Sequence, residues 1–391
     1  MYIIKGGADV LKRFELRNYK NFEERIVIDF ENVGGYQFNT ECIENSIITK
    51  MLIYGRNATG KTNLGRALMD IRTILANVII LNEGSFLNAD SAEDSAEFLY
   101  LFQFEEDEIE YQYAKYSKNR LKSERLSLNK NIIFECDFAD NKYNFGNLNL
   151  VDAETVNVER YLQVLETEEG SEDISENRVP FLRWLISNAA LKSNSPLIKL
   201  SEYVRRMMLI AVGSSLSGRK NMDEKFFEDL EKEEALGDFE EFLNVMGIEC
   251  KLVLKKLPDG QRELYFLHDK LVPFYSTASS GTLALVNMYR RFVMNAKTAT
   301  LMYLDEFDAF YHYEMAENVV RFFKKKYKDC QIILTSHNTN LMTNRLMRPD
   351  CLFILSRNGK LTALCDATER ELREGHNLEK MYIGGEFEKY E

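Results

Sequence analysis

The sequence predicts an α/β protein in which a mixed sheet core carries an antiparallel β-subdomain and an inserted helical lobe. Three observations predict it. Short apolar runs at Ile47–Tyr54, Thr300–Leu304 and Gln331–Thr335 have the composition of strands buried on both faces, and helical patterns lie beside them in the chain. Residues 98–145 hold short aromatic-rich strands of antiparallel character. Residues 179–247 are mainly helical by pattern. These blocks divide the chain into an N-terminal lobe over 1–150, a helical insertion with a hairpin over 151–270 and a C-terminal lobe over 271–391.

In chain order, Leu11–Tyr19 alternates, and Arg25–Phe30 places Ile26, Ile28 and Phe30 on one face at the period of a half-buried strand. Ile47–Tyr54 ends at Gly55, and Thr62–Leu81 then repeats Leu64, Ala67, Leu68, Ile71, Ile74 and Leu75 at helical spacing. Residues 82–97 are acidic and Ser/Asn-rich, which predicts a loop, and strands follow at Phe98–Phe104 and Glu110–Tyr116. The acidic stretch Asp152–Asn177 predicts a solvated linker. Helices are expected at Pro180–Leu191, Leu197–Val212 and Met222–Met246, and a hairpin at Lys251–Lys256 and Glu263–His268 around Pro258-Asp259-Gly260. Gly281–Met294 and Glu314–Tyr327 are helical by pattern, and Cys351–Leu355 and Lys360–Leu364 form a hairpin around Asn358-Gly359.

Composition narrows the function. The 391 residues carry 50 Lys and Arg against 62 Asp and Glu, a net charge of −12, which argues against a uniformly basic nucleic-acid or membrane surface. No run of eighteen apolar residues and no signal-like N-terminus occur, so a soluble cytoplasmic protein without membrane contact is expected. The six cysteines form no C-x-x-C pair and predict neither a zinc ribbon nor a redox dithiol; most sit among apolar neighbours as reduced core residues.

The chemistry is concentrated in a few places. Gly55-Arg56-Asn57-Ala58-Thr59-Gly60-Lys61-Thr62, followed by Asn63, fits G-x-x-x-x-G-K-[ST] between a strand and a helix. Its amides and the helix N-terminus suit a phosphate guest. Lys61 is placed to meet the β- and γ-phosphates, and the Thr62 hydroxyl to meet Mg²⁺. Leu301-Met302-Tyr303-Leu304-Asp305-Glu306 is an apolar strand ending in two carboxylates, a Walker B element. There Asp305 holds the metal shell and Glu306 polarises water. His337 ends the third apolar strand, where an imidazole can reach the γ-phosphate or the attacking water. Ser279-Ser280-Gly281-Thr282 opens the helix before the Walker B strand and, read alone, serves equally as a cap.

In this order the four elements resemble the head of ABC-type ATPases, of the RecF, SMC and OLD branch. The opening FELRNYKNFEE resembles that branch's first strand and turn, and Asp308 and His312 in DEFDAFYH resemble its D-loop region. The C-terminal RELREGHNLEKMYIGGEF resembles stand-alone ATPases of bacterial phage-defence operons. The resemblance implies an ABC-type P-loop ATPase head binding ATP and Mg²⁺. It also implies a homodimer, or a higher homo-oligomer, in which Ser279, Ser280 and Gly281 complete the partner's site. Two departures stand out: Gln103 is no secure Q-loop match and fits an outward strand position somewhat better, and the S-S-G-T start lacks the fuller transporter signature.

No long heptad arm is expected, and with 54 residues after His337 no added metal-dependent nuclease domain is expected either. With four histidines and no second catalytic cluster, the chain reads as a sensor or regulatory ATPase acting on a separately encoded effector, such as a nuclease, in anti-phage defence. Two alternatives stand beside it: a RecF/SMC-like DNA clamp using Lys324–Lys328, Arg205, Arg206, Arg219 and Lys220, and a scaffold that binds ATP with little turnover.

Overall fold

A computed structural model describes residues 9–76, 84–168, 178–211, 219–232, 234–296, 299–309 and 311–391. Its centre is a six-stranded sheet formed from both ends of the chain and one strand from its middle. The strands run in the order β11 (Met208–Ala211), β15 (Leu301–Asp305), β16 (Gln331–Ser336), β5 (Lys50–Tyr54), β17 (Leu352–Leu355) and β18 (Leu361–Ala363). All neighbours are parallel except the β17–β18 hairpin. Every residue of β5, β15 and β16 is buried, which explains their unbroken apolar runs.

A second sheet has seven strands in the order β10 (Lys142–Asn144), β9 (Asn131–Asp137), β8 (Leu121–Leu128), β7 (Asp107–Lys115), β6 (Ala96–Phe104), β1 (Val10–Arg17) and β2 (Ile26–Asp29). It is antiparallel throughout, and the strict in-out alternation of β6 buries Phe98, Tyr100, Phe102 and Phe104 on one face. Gln103 lies on the other face, its amide donating to the Glu105 carbonyl at 2.8 Å, which is the outward position.

Helix α1 (Lys61–Leu68) lies between the sheets and is tied to each by a tyrosine. The Tyr303 hydroxyl of β15 donates to the Lys61 carbonyl at 2.5 Å, and that of Tyr100 of β6 donates to the Ala67 carbonyl at 3.0 Å. Both rings are fully buried. The expected helix to Leu81 is interrupted: α1 stops, and α2 (Ile71–Leu75) restarts after Asp70, while 77–83 lie outside the described residues. Asp70 is pinned by Lys115 Nζ at 3.0 and 2.9 Å and by the Tyr113 hydroxyl at 3.0 Å, so the bend is fixed by the antiparallel sheet.

Other expectations are corrected. The Ile47–Tyr54 run is two strands. A turn with positive φ at Asn45 and Ser46 pairs β4 (Ile47–Ile48) with β3 (Ile43–Glu44), and only β5 enters the parallel sheet. The acidic linker contains helix α3 (Val158–Glu168), whose Tyr161 and Leu165 are buried at helical spacing; 169–177 lie outside the described residues. The helix expected over Leu197–Val212 ends early. Helix α5 (Pro196–Arg205), with Ser195 capping it, is followed by β11, because the apolar Met208–Ala211 run gains a parallel ladder with β15. Met222–Met246 is two helices, α6 (Arg219–Leu230) and α7 (Ala235–Val245), with Glu234 at φ 68 before the second. The hairpin of β12 (Leu252–Lys256) and β13 (Arg262–Leu267) gains a third strand, β14 (Leu271–Pro273), and runs through α8 (Phe274–Thr277) into α9 (Ser280–Ala296). Helices α4 (Phe181–Asn188), α10 (Tyr313–Lys326) and α11 (Leu378–Ile383) complete the fold. The cysteines are free, and Cys42, Cys136, Cys330 and Cys351 are buried. Among the described residues no helix is long and apolar enough to cross a membrane.

Candidate nucleotide site

The site forms where the parallel strands end. β5 delivers Gly55 to a tight loop whose last turn, at Gly60, has φ 101 and runs directly into α1. Thr59 is buried while Arg56, Asn57 and Ala58 are exposed, and Ala58 also has positive φ. Gly60 is required for space as well as conformation, since a Cβ there would lie 2.2 Å from Asn21 Nδ2. Asn21 belongs to the turn after β1. Its amide donates to the Thr59 carbonyl at 3.0 Å and accepts from Asn63 Nδ2 at 2.8 Å, bracing the loop from the antiparallel side.

Lys61 is nearly fully buried, with Nζ donating to the carbonyls of Gly55 at 2.6 Å and Arg56 at 3.1 Å. Burial lowers its pKa, opposed by the carboxylates of Glu306, Asp305 and Asp308. The Arg56 guanidinium pairs with the Glu391 carboxylate.

Adjacent strands supply the acids. β15 sets Asp305 against the loop, where Thr62 Oγ1 donates to its Oδ2 at 2.6 Å, and Thr335 Oγ1 of β16 donates to its Oδ1 at 3.0 Å. The same Thr335 oxygen accepts from the Glu306 amide at 2.9 Å. Glu306 is half-buried at φ 49, a left-handed conformation held by this contact at the strand end. His337 is exposed immediately after β16, the strand lying between β5 and β15. Lys61, Thr62, Asp305, Glu306 and His337 therefore stand at one edge of one sheet.

Among the described residues no group of three or more His, Cys, Asp or Glu side chains could hold a metal ion on its own. The donor set still fits Mg²⁺, which is commonly held by one or two carboxylates plus phosphates and water. Thr62 Oγ1 and Asp305 Oδ2 are hard oxygen donors already in contact.

Ser279, Ser280 and Gly281 are not joined to this cluster by any hydrogen bond between described residues. Ser279 and Ser280 are exposed at the start of α9, and the Ser279 hydroxyl caps it by accepting from the Thr282 amide at 3.1 Å.

Residues 50–343, roughly three quarters of the chain, match the model of a family described as "AAA domain, putative AbiEii toxin, Type IV TA system". The chain belongs to this family. It is an ATPase of α/β fold. No curated protein matches it. Solved structures similar to it include the SMC head domain from Thermotoga maritima, at 16% identity, TM-score 0.43, covering 88% of this chain and 94% of that one. Another is the Smc head domain with an extended coiled coil bound to the C-terminal domain of ScpA, derived from Pyrococcus furiosus, at 15% identity, TM-score 0.45, covering 91% and 96%. The recombination mediator RecF is a third, at 13% identity, TM-score 0.37, covering 92% and 99%.

Within this AAA-family head, part of the basic stretch has structural work. Lys324 is buried, donating to Asn39 Oδ1 at 2.6 Å and the Leu346 carbonyl at 2.5 Å, and it pairs with Glu41 at 2.9 Å; Lys326 pairs with Asp238 at 3.6 Å. Lys325, Lys328, Arg205 and Arg206 are exposed, and the side chains of Arg219 and Lys220 lie outside the described residues. Sequence reasoning missed Asn21, Tyr303, Thr335 and Ser336 as site residues. Thr335 and Ser336 precede His337 directly, and Asn21 sits in the turn after the first strand, so the signals were positional. Nothing in the residue types marked them.

Proposed function

We propose that the chain binds ATP with Mg²⁺ at this loop and hydrolyses it at a site completed by a second copy. In this reading turnover regulates a separately encoded effector in anti-phage defence. The observation that carries it is the Thr62–Asp305 hydrogen bond, which joins phosphate loop and Walker B strand across 243 positions of sequence at 2.6 Å. The family's toxin–antitoxin description supports the setting.

The loop amides and the N-terminus of α1 receive the phosphates, and Lys61, released from the Gly55 and Arg56 carbonyls, neutralises their charge. Thr62 and Asp305 would hold Mg²⁺, which when bound would supply charge neutralisation to the phosphates. Glu306, fixed by Thr335, orients the attacking water and takes its proton. His337 contacts the γ-phosphate side, where its hydrogen bond distinguishes triphosphate from diphosphate. Ser279, Ser280 and Gly281 of the partner close the site, bringing a second helix N-terminus to the γ-phosphate.

The test is affinity purification of Glu306→Gln in the native host, with and without ATP. Stalled turnover should retain one effector in an ATP-dependent way, and Lys61→Ala should abolish that dependence. An effector bound equally in both states overturns the regulatory reading. An ATP-requiring, salt-sensitive shift of duplex DNA by the purified chain, without any protein partner, would establish the clamp instead.

A further inference from the structure

One buried acid near the site has no place in the mechanism above. Asp308 lies three positions beyond Asp305 and is only 6% exposed. Its Oδ2 accepts from Ser336 Oγ at 2.7 Å, and Ser336 Oγ in turn accepts from the Asn338 amide at 2.9 Å. These two bonds bracket His337, the residue between Ser336 and Asn338. Oδ1 of the same carboxylate is buried with no hydrogen-bond partner among the described residues.

The segment holding Asp308 is itself tied down. The Phe307 amide donates to the Thr335 carbonyl at 3.3 Å, Ala309 to the Glu306 carbonyl at 3.1 Å, and Tyr311 to the Asp308 carbonyl at 3.0 Å. The Walker B turn is thus laced to the end of β16 by two side-chain rungs. Thr335 with Asp305 and Glu306 is one; Ser336 with Asp308 is the other. The first aligns the acids. The second acts on the turn that presents the exposed His337 imidazole.

We infer that Asp308 is a positioning residue for ATP hydrolysis, holding His337 toward the γ-phosphate through the Ser336 hydroxyl. This rests on the role given to His337 above. A carboxylate with one oxygen unsatisfied in the interior is a poor choice for packing alone, because burial of an unfilled acceptor is unfavourable. The same position filled by an alanine would lose the acceptor that the Ser336 hydroxyl proton has among the described residues. An asparagine keeps a carbonyl oxygen for that proton while it removes the charge and turns the other oxygen into an amide NH2.

The experiment measures steady-state ATPase kinetics, ATP affinity and thermal melting for Asp308→Ala, Asp308→Asn, Ser336→Ala and His337→Ala, and for Asp308→Ala and Ser336→Ala each combined with His337→Ala. Asp308→Ala and Ser336→Ala should each lower kcat about tenfold, the loss of roughly one ordinary hydrogen bond, with KM and ATP affinity little changed. Asp308→Asn should restore most of the rate. In the His337→Ala background neither substitution should reduce kcat further, since residues acting through one group are not additive. The Ser336 variant probes the relay from its other end if Asp308→Ala melts too low to assay. Undiminished loss in the His337→Ala background overturns the proposal while leaving the role of His337 intact. So does failure of Asp308→Asn to recover. If His337→Ala itself turns over normally, the site reading and this proposal fall together.

Discussion

At the level of single residues, the loop owes its shape to neighbours that a motif search does not see. Asn21 touches it through two hydrogen bonds, to the Thr59 carbonyl and to Asn63, and occupies the space that a Cβ at position 60 would need. Asn21→Ala removes both bonds at about 1 kcal/mol each. ATP affinity should therefore fall about five- to thirtyfold with little change in fold, as isothermal titration of the nucleotide would show. Gly65 poses a sharper question of sign. Inside a helix, Gly→Ala ordinarily gains about 0.5–1 kcal/mol. Here the added Cβ would sit 2.5 Å from the Tyr303 ring and 3.0 Å from Leu209 Cδ1, beneath the helix that begins at Lys61. Overpacking against a buried aromatic costs about 1–3 kcal/mol. Gly65→Ala should therefore lower the melting temperature, and a rise would show that the helix can slide off β15. The motif residues themselves were legible from spacing. Their braces were not, because a hydrogen bond between Asn21 and Thr59 leaves no periodic trace in either segment.

Elements show the same division. The buried strands β5, β15 and β16 were readable because full burial writes continuous apolar runs, and α1 because its face repeats at 3.6 residues. β11 was not, since four apolar residues after a helix have no local preference strong enough to reveal a ladder with β15 about ninety positions away. Acidic composition hid α3 in turn, although Val158, Tyr161, Leu162 and Leu165 recur at helical spacing. The helical lobe is joined to the antiparallel sheet by another buried acid. Glu124 of β8 accepts from the Phe181 amide at the start of α4 and from the Tyr111 hydroxyl at 2.9 Å. Burial pushes its pKa up to about 7, against hydrogen bonds that pull it down. The folded state thus holds a proton that the unfolded chain releases near its ordinary value of 4.5. Its contribution is fully present below that value and is lost as pH rises through about 7. Urea unfolding of the wild type from pH 5 to pH 8 should show this decline, and Glu124→Gln should flatten it. An unchanged slope in the variant would assign the decline to another group.

The whole molecule presents one cluster of candidate site residues and, apart from it, one exposed helix start that no hydrogen bond between described residues joins to that cluster. Phosphate loop, Walker B acids and His337 are gathered by three adjacent strands drawn from both ends of the sequence, whereas Ser279 and Ser280 stand exposed at α9 with Ser279 already engaged as its cap. If a second copy supplies that helix start, ATP should act as the adhesive between chains, because a helix N-terminus attracts the more highly charged triphosphate more strongly than diphosphate. Glu306→Gln, which in the proposed mechanism leaves binding in place and removes the carboxylate that orients water, should then be a monomer without nucleotide and a dimer with ATP and Mg²⁺, as multi-angle light scattering would resolve. Ser280→Glu places a carboxylate where the partner's γ-phosphate would arrive. Its own loop is untouched, so each chain should bind ATP with affinity close to wild type. The dimer should fail to form, and turnover should fall by at least tenfold, since like charges brought together in a partly desolvated interface repel by more than about 1.4 kcal/mol. Dimers of Ser280→Glu that hydrolyse ATP at the wild-type rate would place closure of the site elsewhere on the chain.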